Sequence, residues 1–173
     1  MPLVKSGNIT DDSFIHLADT AALPASGDIL LSAARLLEDP DAALRRTAKV
    51  GVIWPNSRDI DDLVPYLDRL AAVALVFPTF RDGRAYSQAR LIRETHGFRG
   101  TLRATGDVLR DQFHFLTRAG FDSFEVKKPA DAKVFTEVLA RFSVYYQPGA
   151  DGRASALRRR LKSGAASEAC ETA

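Results

Sequence analysis

The side chains best suited to chemistry in this sequence are arginines and hydroxyls that follow an apolar run at 73–77. The segment after that run contains Arg81, Arg84, Tyr86 and Ser87. Planar guanidinium groups bind phosphate, sulfate or carboxylate through paired hydrogen bonds, and free backbone N–H groups at the start of a helix also attract anions. We therefore expect this segment to bind a small anionic ligand.

A second polar segment begins within the apolar run 101–104 and adds one arginine and two aspartates. Arg103 lies near the end of that run and could reach the same ligand, because the carboxyl ends of neighbouring parallel strands meet at one edge. Asp107 and Asp111 are spaced i, i+4, so on a helix they would share one face. Two carboxylates facing one ligand can act as general acid and base, and we take this pair as the candidate catalytic residues.

Each of these candidates also has a structural interpretation. Asp82 and Gly83 form a turn signal, and loop arginines commonly pair with nearby aspartates. Asp107 follows Gly106 and could cap the next helix, in which case Asp111 would be an ordinary solvated carboxylate. The residue types alone leave both interpretations open.

Signatures of metal and cofactor sites are missing from the sequence. The single cysteine, Cys170, excludes an internal disulfide and a self-contained cysteine-ligated cluster. His16, His96 and His114 have no partner at metal-ligand spacing, so no metal site is predicted. No dinucleotide fingerprint, Walker lysine motif or serine nucleophile elbow is present, so the cofactor is unknown.

Four apolar runs, each followed by a segment with helical spacing, predict the elements that position these residues. The runs begin at residues 50, 73, 101 and 123, and the last is followed by a helix at about 130–143. This repeat predicts an α/β fold with a parallel sheet of four to five βα units and right-handed crossovers. The sheet could curl like a half-barrel or lie open and doubly wound, and periodicity does not separate the two.

The first 48 residues are less regular. Residues 14–17 are predicted as a short strand, 30–38 as a helix that Pro40 ends, and 42–48 as a second helical stretch. Towards the other end, Pro148-Gly149 opens a segment rich in Gly, Ala and Ser. We therefore expect a single α/β domain over 1–150 and a flexible basic tail over 151–173.

Composition narrows the class of protein further. The chain has 173 residues, of which 46% are hydrophobic, and this is enough for a core of its own. Its net charge of +2 resides in the tail, so the neutral body gives no reason to expect nucleic-acid binding. No apolar run approaches the roughly 20 residues of a membrane helix, and the N-terminus lacks a secretory apolar region. The expected location is the cytoplasm, with no membrane contact.

Several of these segments also resemble a known family. The resemblance extends over about residues 27–147 and is densest from 77 to 122. It is carried by FPTFRDGRAYSQAR at 77–90, GFRG at 97–100, LRATGDVLRDQ at 102–112, GFD at 120–122 and FSVYYQ at 142–147. The family consists of small uncharacterised bacterial proteins with a domain of unknown function, typically encoded beside a sulfite reductase and labelled probable oxidoreductases involved in sulfite reduction.

The resemblance implies an accessory or oxidoreductase-like protein that supports assimilatory sulfite reduction, and it brings no established catalytic residues. Sulfite reductase is then the expected partner. Two alternatives remain open: an anion-binding α/β enzyme acting on a small phosphate-, sulfate- or carboxylate-bearing substrate, and a non-catalytic partner of sulfite reductase.

Overall fold

One sheet of eight strands organises the computed structural model, which describes residues 2–5 and 8–161. The strand order is β2-β1-β8-β7-β6-β5-β4-β3, in which β3 to β8 run parallel and β1 is antiparallel to both of its neighbours. The strands are β1 (Leu3–Lys5), β2 (Asn8–Thr10), β3 (Phe14–His16), β4 (Asp28–Ser32), β5 (Val50–Pro55), β6 (Ala72–Phe77), β7 (Thr101–Gly106) and β8 (Ser123–Glu125).

Helices connect the parallel strands and follow the last one. The α-helices are α1 (Ala33–Glu38), α2 (Pro40–Leu44), α3 (Arg84–Arg90), α4 (Phe113–Ala119) and α5 (Pro129–Ala140). Two 3-10 helices (Val64–Arg69 and Arg110–Gln112) and a π-helix (Leu91–Thr95) complete the connections.

The strand order shows that the sheet curls. From β3 to β8 every crossover moves in the same direction, so right-handed connections place all helices on one face, whereas a doubly wound sheet reverses direction. The edge strands β2 and β3 are separated in sequence only by residues 11–13. That link spans at most about 15 Å, whereas the edges of a flat sheet of this size would lie about 34 Å apart. The predicted α/β class is confirmed, and of its two forms the half-barrel is present.

The main hydrophobic core lies between the convex face of the sheet and the helices. Alternate strand residues enter it, among them Trp54 of β5 and Phe77 of β6, both fully buried. Phe124 of β8 packs against Phe113 of α4 and Phe135 of α5, with ring centroids 5.3 Å apart in each pair. This core fixes each strand, and therefore the position of the residues that alternate with it on the other face.

The concave face of the sheet combines small residues with polar ones. In the register of the parallel strands, Arg103 of β7 lies beside Ala74 on one side and Ser123 on the other. Gly51 of β5 is crowded, since a Cβ there would lie 2.7 Å from Leu30 Cδ1. The space beside Gly51 is thus filled by Leu30, whereas the small side chain of Ala74 on β6 leaves room beside Arg103.

The strands predicted at 50, 73, 101 and 123 are confirmed as β5 to β8, each beginning within one residue of the prediction. The short strand predicted at 14–17 is confirmed as β3. The helix predicted after the third run begins as the 3-10 turn Arg110–Gln112 before α4.

The prediction of a helix from residue 30 is wrong, because residues 28–32 form β4. Ile29, Leu30 and Leu31 are all fully buried between β3 and β5. A short apolar run of this kind does not distinguish a buried strand from a buried helix. The helix α1 begins only after Ser32, whose hydroxyl caps it, and Pro40 opens α2 as well as ending α1.

Part of the predicted tail packs against the body. Asp151 accepts a hydrogen bond from Arg118 at 2.6 Å, Ser155 is buried, and residues 156–161 are helical. The rest of the predicted tail, residues 162–173 with Cys170, lies outside the described residues. Within the described part of the chain, no helix is long and apolar enough to cross a membrane.

Candidate functional site

Arg81 and Arg84, predicted to bind an anion, both have partners within their own loop. Arg84 forms a two-point pair with Asp82, with Nε 3.0 Å from Oδ1 and Nη2 2.7 Å from Oδ2. Hydrogen bonds from Arg84 hold the pKa of the Asp82 carboxyl well below its usual range. The Arg81 guanidinium lies 5.5 Å from the ring centroid of Phe80. The Arg84–Asp82 pair is the structural alternative that the sequence left open.

Tyr86 and Ser87 face different cavities. Tyr86 packs edge-on against Phe77 and lines a cavity with His114. Burial, with the charge of Asp111, raises the pKa of the Tyr86 phenol to about 12, so the hydroxyl is protonated at neutral pH. Ser87 instead lines a shallow cavity of about 410 Å³ together with Arg84. The four predicted ligand residues of this segment do not converge on one cavity.

Asp107 and Asp111 do not share a helix face. Asp107 lies in the turn after β7, where its carboxylate accepts hydrogen bonds from Lys127 Nζ at 2.6 Å and from the Phe80 N–H at 2.9 Å. These bonds lower the pKa of Asp107. Asp111 lies in the 3-10 turn Arg110–Gln112. Asp107 therefore joins the loop after β6 to the end of β7.

Arg103 lies apart from these loops, inside the half-barrel, and is only 1% exposed. Its Nη1 donates to Asp12 Oδ2 at 2.6 Å and its Nη2 to Asp12 Oδ1 at 2.8 Å. Nη1 also donates to Glu125 Oε1 at 3.3 Å. The guanidinium carbon is 5.8 Å from the ring centroid of Phe14. Arg103 is thus the centre of a buried ionic group that joins β7, β8 and the segment between β2 and β3.

Two further polar side chains complete this group. The Thr105 hydroxyl donates to Glu125 Oε2, and His16 Nε2 lies 3.1 Å from Asp12 Oδ2. His16 ends β3, and its side chain is 49% exposed. We call these five residues the Arg103 cluster: Asp12, His16, Arg103, Thr105 and Glu125.

The charges within the cluster support one another. Burial raises the pKa of Asp12, but hydrogen bonds from Arg103 and from the Phe14 N–H outweigh it and hold the pKa at about 2. Burial likewise lowers the pKa of Arg103, and Asp12 and Glu125 more than offset this. The ion pair is therefore fully charged at neutral pH, with two carboxylates around one guanidinium.

The upper of two cavities beside the cluster lies at the carboxyl ends of the parallel strands. It measures about 380 Å³ and is lined by Asp12, Phe14, His16 and Glu125. In sheets of this type ligands bind at that end of the strands. The donor atoms of Asp12, His16 and Glu125 lie within 4.8 Å of one another, so among the described residues these three could hold a metal ion.

The lower cavity lies towards the amino ends of β7 and β8. It measures about 220 Å³, and its lining includes Lys5, Asp11, Arg103 and Ser123. Two of its lining side chains carry buried polar atoms, Arg103 Nε and Ser123 Oγ, for which the described residues provide no hydrogen-bond partner. Buried donors of this kind are rare in folded proteins and call for an acceptor.

Of this cluster, sequence analysis found only Arg103. Asp12 and His16 lie in the irregular N-terminal segment, and Glu125 lies far from both along the chain. A usable signal was present in the strands: polar residues at 101, 103 and 105 alternate with apolar ones, and 123 and 125 do the same. Such period-two alternation predicts one polar sheet face.

A comparison with models of protein families identifies the family of this chain. A model of the family described as "Bacterial protein of unknown function (DUF934)" matches residues 51–157, more than half of the chain. The chain belongs to this family. The family expected from the sequence is thereby confirmed. The DUF934 match includes Arg103 and Glu125 and begins after Asp12 and His16. No curated protein matches the chain.

Proposed function

We propose that this protein supports assimilatory sulfite reduction in the cytoplasm, as an accessory factor that binds a small oxyanion in the lower cavity beside Arg103. The observation that carries the proposal is the buried guanidinium of Arg103, which lines that cavity and whose Nε–H has no hydrogen-bond partner among the described residues.

The donors of Arg103 are only partly used inside the protein. A guanidinium group has five N–H donors in a fixed plane. Nη1 donates to Asp12 and Glu125, and Nη2 donates once, to Asp12. The Nε–H and the second Nη2–H remain, and they point along the same edge. This edge has the spacing that binds two oxygens of an oxyanion.

Nearby groups favour a small ligand with acceptor oxygens. The Ser123 hydroxyl is also buried and has no partner among the described residues. The positive charges of Lys5 and Arg103 offset the carboxylates of Asp11 and Asp12, which line the same cavity. Leaving a buried donor unpaired costs about 1–3 kcal/mol, which a ligand oxygen would recover. A volume of about 220 Å³ is below the roughly 300–1,000 Å³ of sites for drug-sized ligands.

The pathway is supported by a different observation, the resemblance that residues 77–122 carry most densely. Sulfite is itself a small oxyanion with three acceptor oxygens, so the ligand class and the pathway agree. Sulfite reductase is the proposed partner. In this proposal the chain contributes oxyanion binding and the reductase contributes electron transfer.

The binding half of the proposal is tested by titrating sulfite, sulfate and phosphate into the purified protein, with chloride at matched ionic strength. We expect one oxyanion site by calorimetry. Ser123→Ala should weaken binding about five- to tenfold, since one hydrogen bond is lost. Arg84→Ala is the matched control and should bind as wild type does, because Arg84 pairs with Asp82 on another part of the surface. Equal affinities of wild type and Ser123→Ala, or no oxyanion binding at all, would overturn the site.

The pathway half is tested in cells. Deleting the gene should slow growth on sulfate or sulfite as the sulfur source but not on sulfide. The Arg84→Ala protein should restore growth, and the Ser123→Ala protein should restore it less well. Normal growth of the deletion strain on sulfite would remove the pathway proposal and leave the binding site to be judged by calorimetry.

The partner is tested separately, by size-exclusion chromatography of the protein mixed with the neighbouring sulfite reductase. Co-elution at micromolar concentration supports the partnership, and independent elution refutes a stable complex.

A further inference from the structure

We propose that Asp12, His16 and Glu125 bind a divalent transition-metal cation in the upper cavity, at the carboxyl ends of the strands. The oxyanion site adjoins this cavity, since Asp12 and Phe14 line both, but the proposed metal ligands His16 and Glu125 line only the upper one. The proposal begins from the three donor atoms, one imidazole nitrogen and two carboxylate oxygens, which lie within 4.8 Å of one another.

The charge of the Arg103 cluster favours a cation. Asp12 and Glu125 contribute two negative charges, whereas Arg103 contributes one positive charge, and His16 is neutral unless it is protonated. Glu125 is only 8% exposed, so water compensates its charge poorly. One guanidinium does not neutralise both carboxylates, and a metal ion between them would balance the remaining negative charge.

The carboxylates are already oriented for coordination. Arg103 and the Phe14 N–H hold Asp12, and the Thr105 hydroxyl holds Glu125. Each of these groups is a donor, and donors to the ligands of a metal fix ligand direction in known sites. Arg103 would therefore remain in place as an outer donor. Each Glu125 oxygen accepts one hydrogen bond and keeps one lone pair, and Asp12 Oδ2 gains one when His16 Nε2 binds the metal ion instead of donating to Asp12.

The contact between His16 and Asp12 has the geometry of neighbouring ligands. Nε2 of His16 lies 3.1 Å from Oδ2 of Asp12. Two ligands about 2.1 Å from one metal ion lie about 3.0 Å apart at right angles and about 3.4 Å apart in a tetrahedral site, so a metal ion would replace the hydrogen bond between these two atoms with little movement. The donor atoms of the three residues are up to 4.8 Å apart, so the Glu125 side chain would move by up to roughly 1–2 Å to complete one face of the ion. The cavity of about 380 Å³ leaves the remaining positions open to water or a ligand.

The donor set also limits which metals fit. One imidazole with two carboxylates suits Zn²⁺, Mn²⁺, Fe²⁺ or Co²⁺, whereas Ca²⁺ and Mg²⁺ prefer oxygen ligands only. Three protein ligands with open positions are typical of sites that act on a bound molecule, in contrast to closed structural sites.

The test uses the full chain after treatment with a chelator, without a purification tag and with Cys170→Ser so that the thiol takes no part. Zn²⁺ and Mn²⁺ are titrated by calorimetry, and Co²⁺ is followed by its visible absorption bands. We expect one equivalent of metal per chain, and Co²⁺ bands that change when His16 is substituted.

His16→Ala and Glu125→Gln should each weaken metal binding by about tenfold or more, since each removes a ligand or its charge. His16 is half exposed, and Gln has the shape of Glu, so both variants should keep the fold, which circular dichroism checks. His96→Ala is the matched control and should bind as the parent does. Ser123→Ala should also bind metal normally, which separates this site from the oxyanion site.

Binding of none of the three metals would overturn the proposal. So would one-equivalent binding that survives both His16→Ala and Glu125→Gln, because the metal would then be held elsewhere.

Discussion

Asp12 is the residue on which the charge of Arg103 depends most. It accepts two hydrogen bonds from the guanidinium, at 2.6 and 2.8 Å, and Glu125 adds a third at 3.3 Å. Removing one partner of a buried ion pair leaves the other charge uncompensated. This costs more free energy than replacing both partners with apolar residues. The stability of the half-barrel should therefore depend on the protonation of Asp12.

The pH dependence follows from the pKa of Asp12, which falls from 3.8 to about 2 on folding because the bonds from Arg103 outweigh burial. The unfolded chain takes up this proton first. The stabilisation is thus fully present above about pH 4 and is lost as the pH falls towards 2. Allowing for partial exposure, we expect Asp12 to contribute about 1–2 kcal/mol at neutral pH.

The measurement is urea unfolding of wild type and Asp12→Asn between pH 2 and 7. Other carboxyls with lowered pKa values, such as those of Asp82 and Asp107, also become protonated in acid. This lowers the unfolding free energy of both proteins equally and cancels in the difference between them. The difference in unfolding free energy should therefore be largest at neutral pH and shrink below pH 4. A constant difference across this range would contradict the assigned pair.

At the scale of elements, the end of β7 depends on close backbone packing. Gly106 has φ +94°, and a Cβ there would lie 2.4 Å from the carbonyl oxygen of Phe77 on β6. The next residue, Asp107, donates its N–H to the same oxygen at 2.8 Å. Any side chain at 106 would push apart two strands next to Thr105 and the Arg103 cluster.

Gly106→Ala should cost about 2 kcal/mol or more, from the strained backbone together with the clash. Gly97→Ala is the matched control, because Gly97 has φ +64° but nothing within 4 Å of an added Cβ. That change should lower the free energy of unfolding by only about 1 kcal/mol, because it strains the backbone without creating a clash. Equal shifts of the urea midpoint in the two variants would show that the contact with Phe77 carries no cost.

The sequence predicts the strands β5 to β8 better than the strands β1, β2 and β4. The strands β5 to β8 are near-continuous apolar runs between helical segments, so their periodicity was informative. The strand β4 is an equally apolar run, but it continues directly into α1, and one helix was predicted over both. The strands β1 and β2 are only three residues long, and their pairing with β8 depends on contacts distant in sequence.

The Arg103 cluster is predictable only in part, because it too depends on contacts between residues that are distant in the sequence. The position of Arg103 on β7 follows from a local run, and so does its place near a strand end. Its partners do not, because Asp12 lies in a connection and reaches Arg103 only when the sheet curls. The pairing of Arg84 with Asp82, in contrast, is local, and the sequence already offered it as the structural alternative.

At the scale of the whole molecule, the segment 8–16 joins the two edges of the sheet. Its first part pairs with β1 and its last part with β4, and Asp12 lies between them. The N-terminal strands therefore do more than extend the sheet. They close the half-barrel over the concave face and supply two of the five residues of the Arg103 cluster, Asp12 and His16.

The family match therefore covers a shorter part of the chain than the fold does. The matched segment, 51–157, contains Arg103 but lacks Asp12 and the strands β1 to β4. In that fragment β5 and β8 would become open edges, and the buried guanidinium would keep only its 3.3 Å contact with Glu125. Open apolar edges favour aggregation, and a stranded buried charge favours unfolding.

We therefore expect the fragment 51–157 to show poor amide dispersion by NMR and no cooperative thermal transition. A fragment of residues 1–161 is the control and should melt cooperatively, because it retains every described element. If 51–157 melted as sharply as the control and at a similar temperature, the N-terminal strands would be an addition to an independent domain. The Arg103 cluster would then be stable without Asp12, and the loss of this partner would carry no cost for the buried guanidinium.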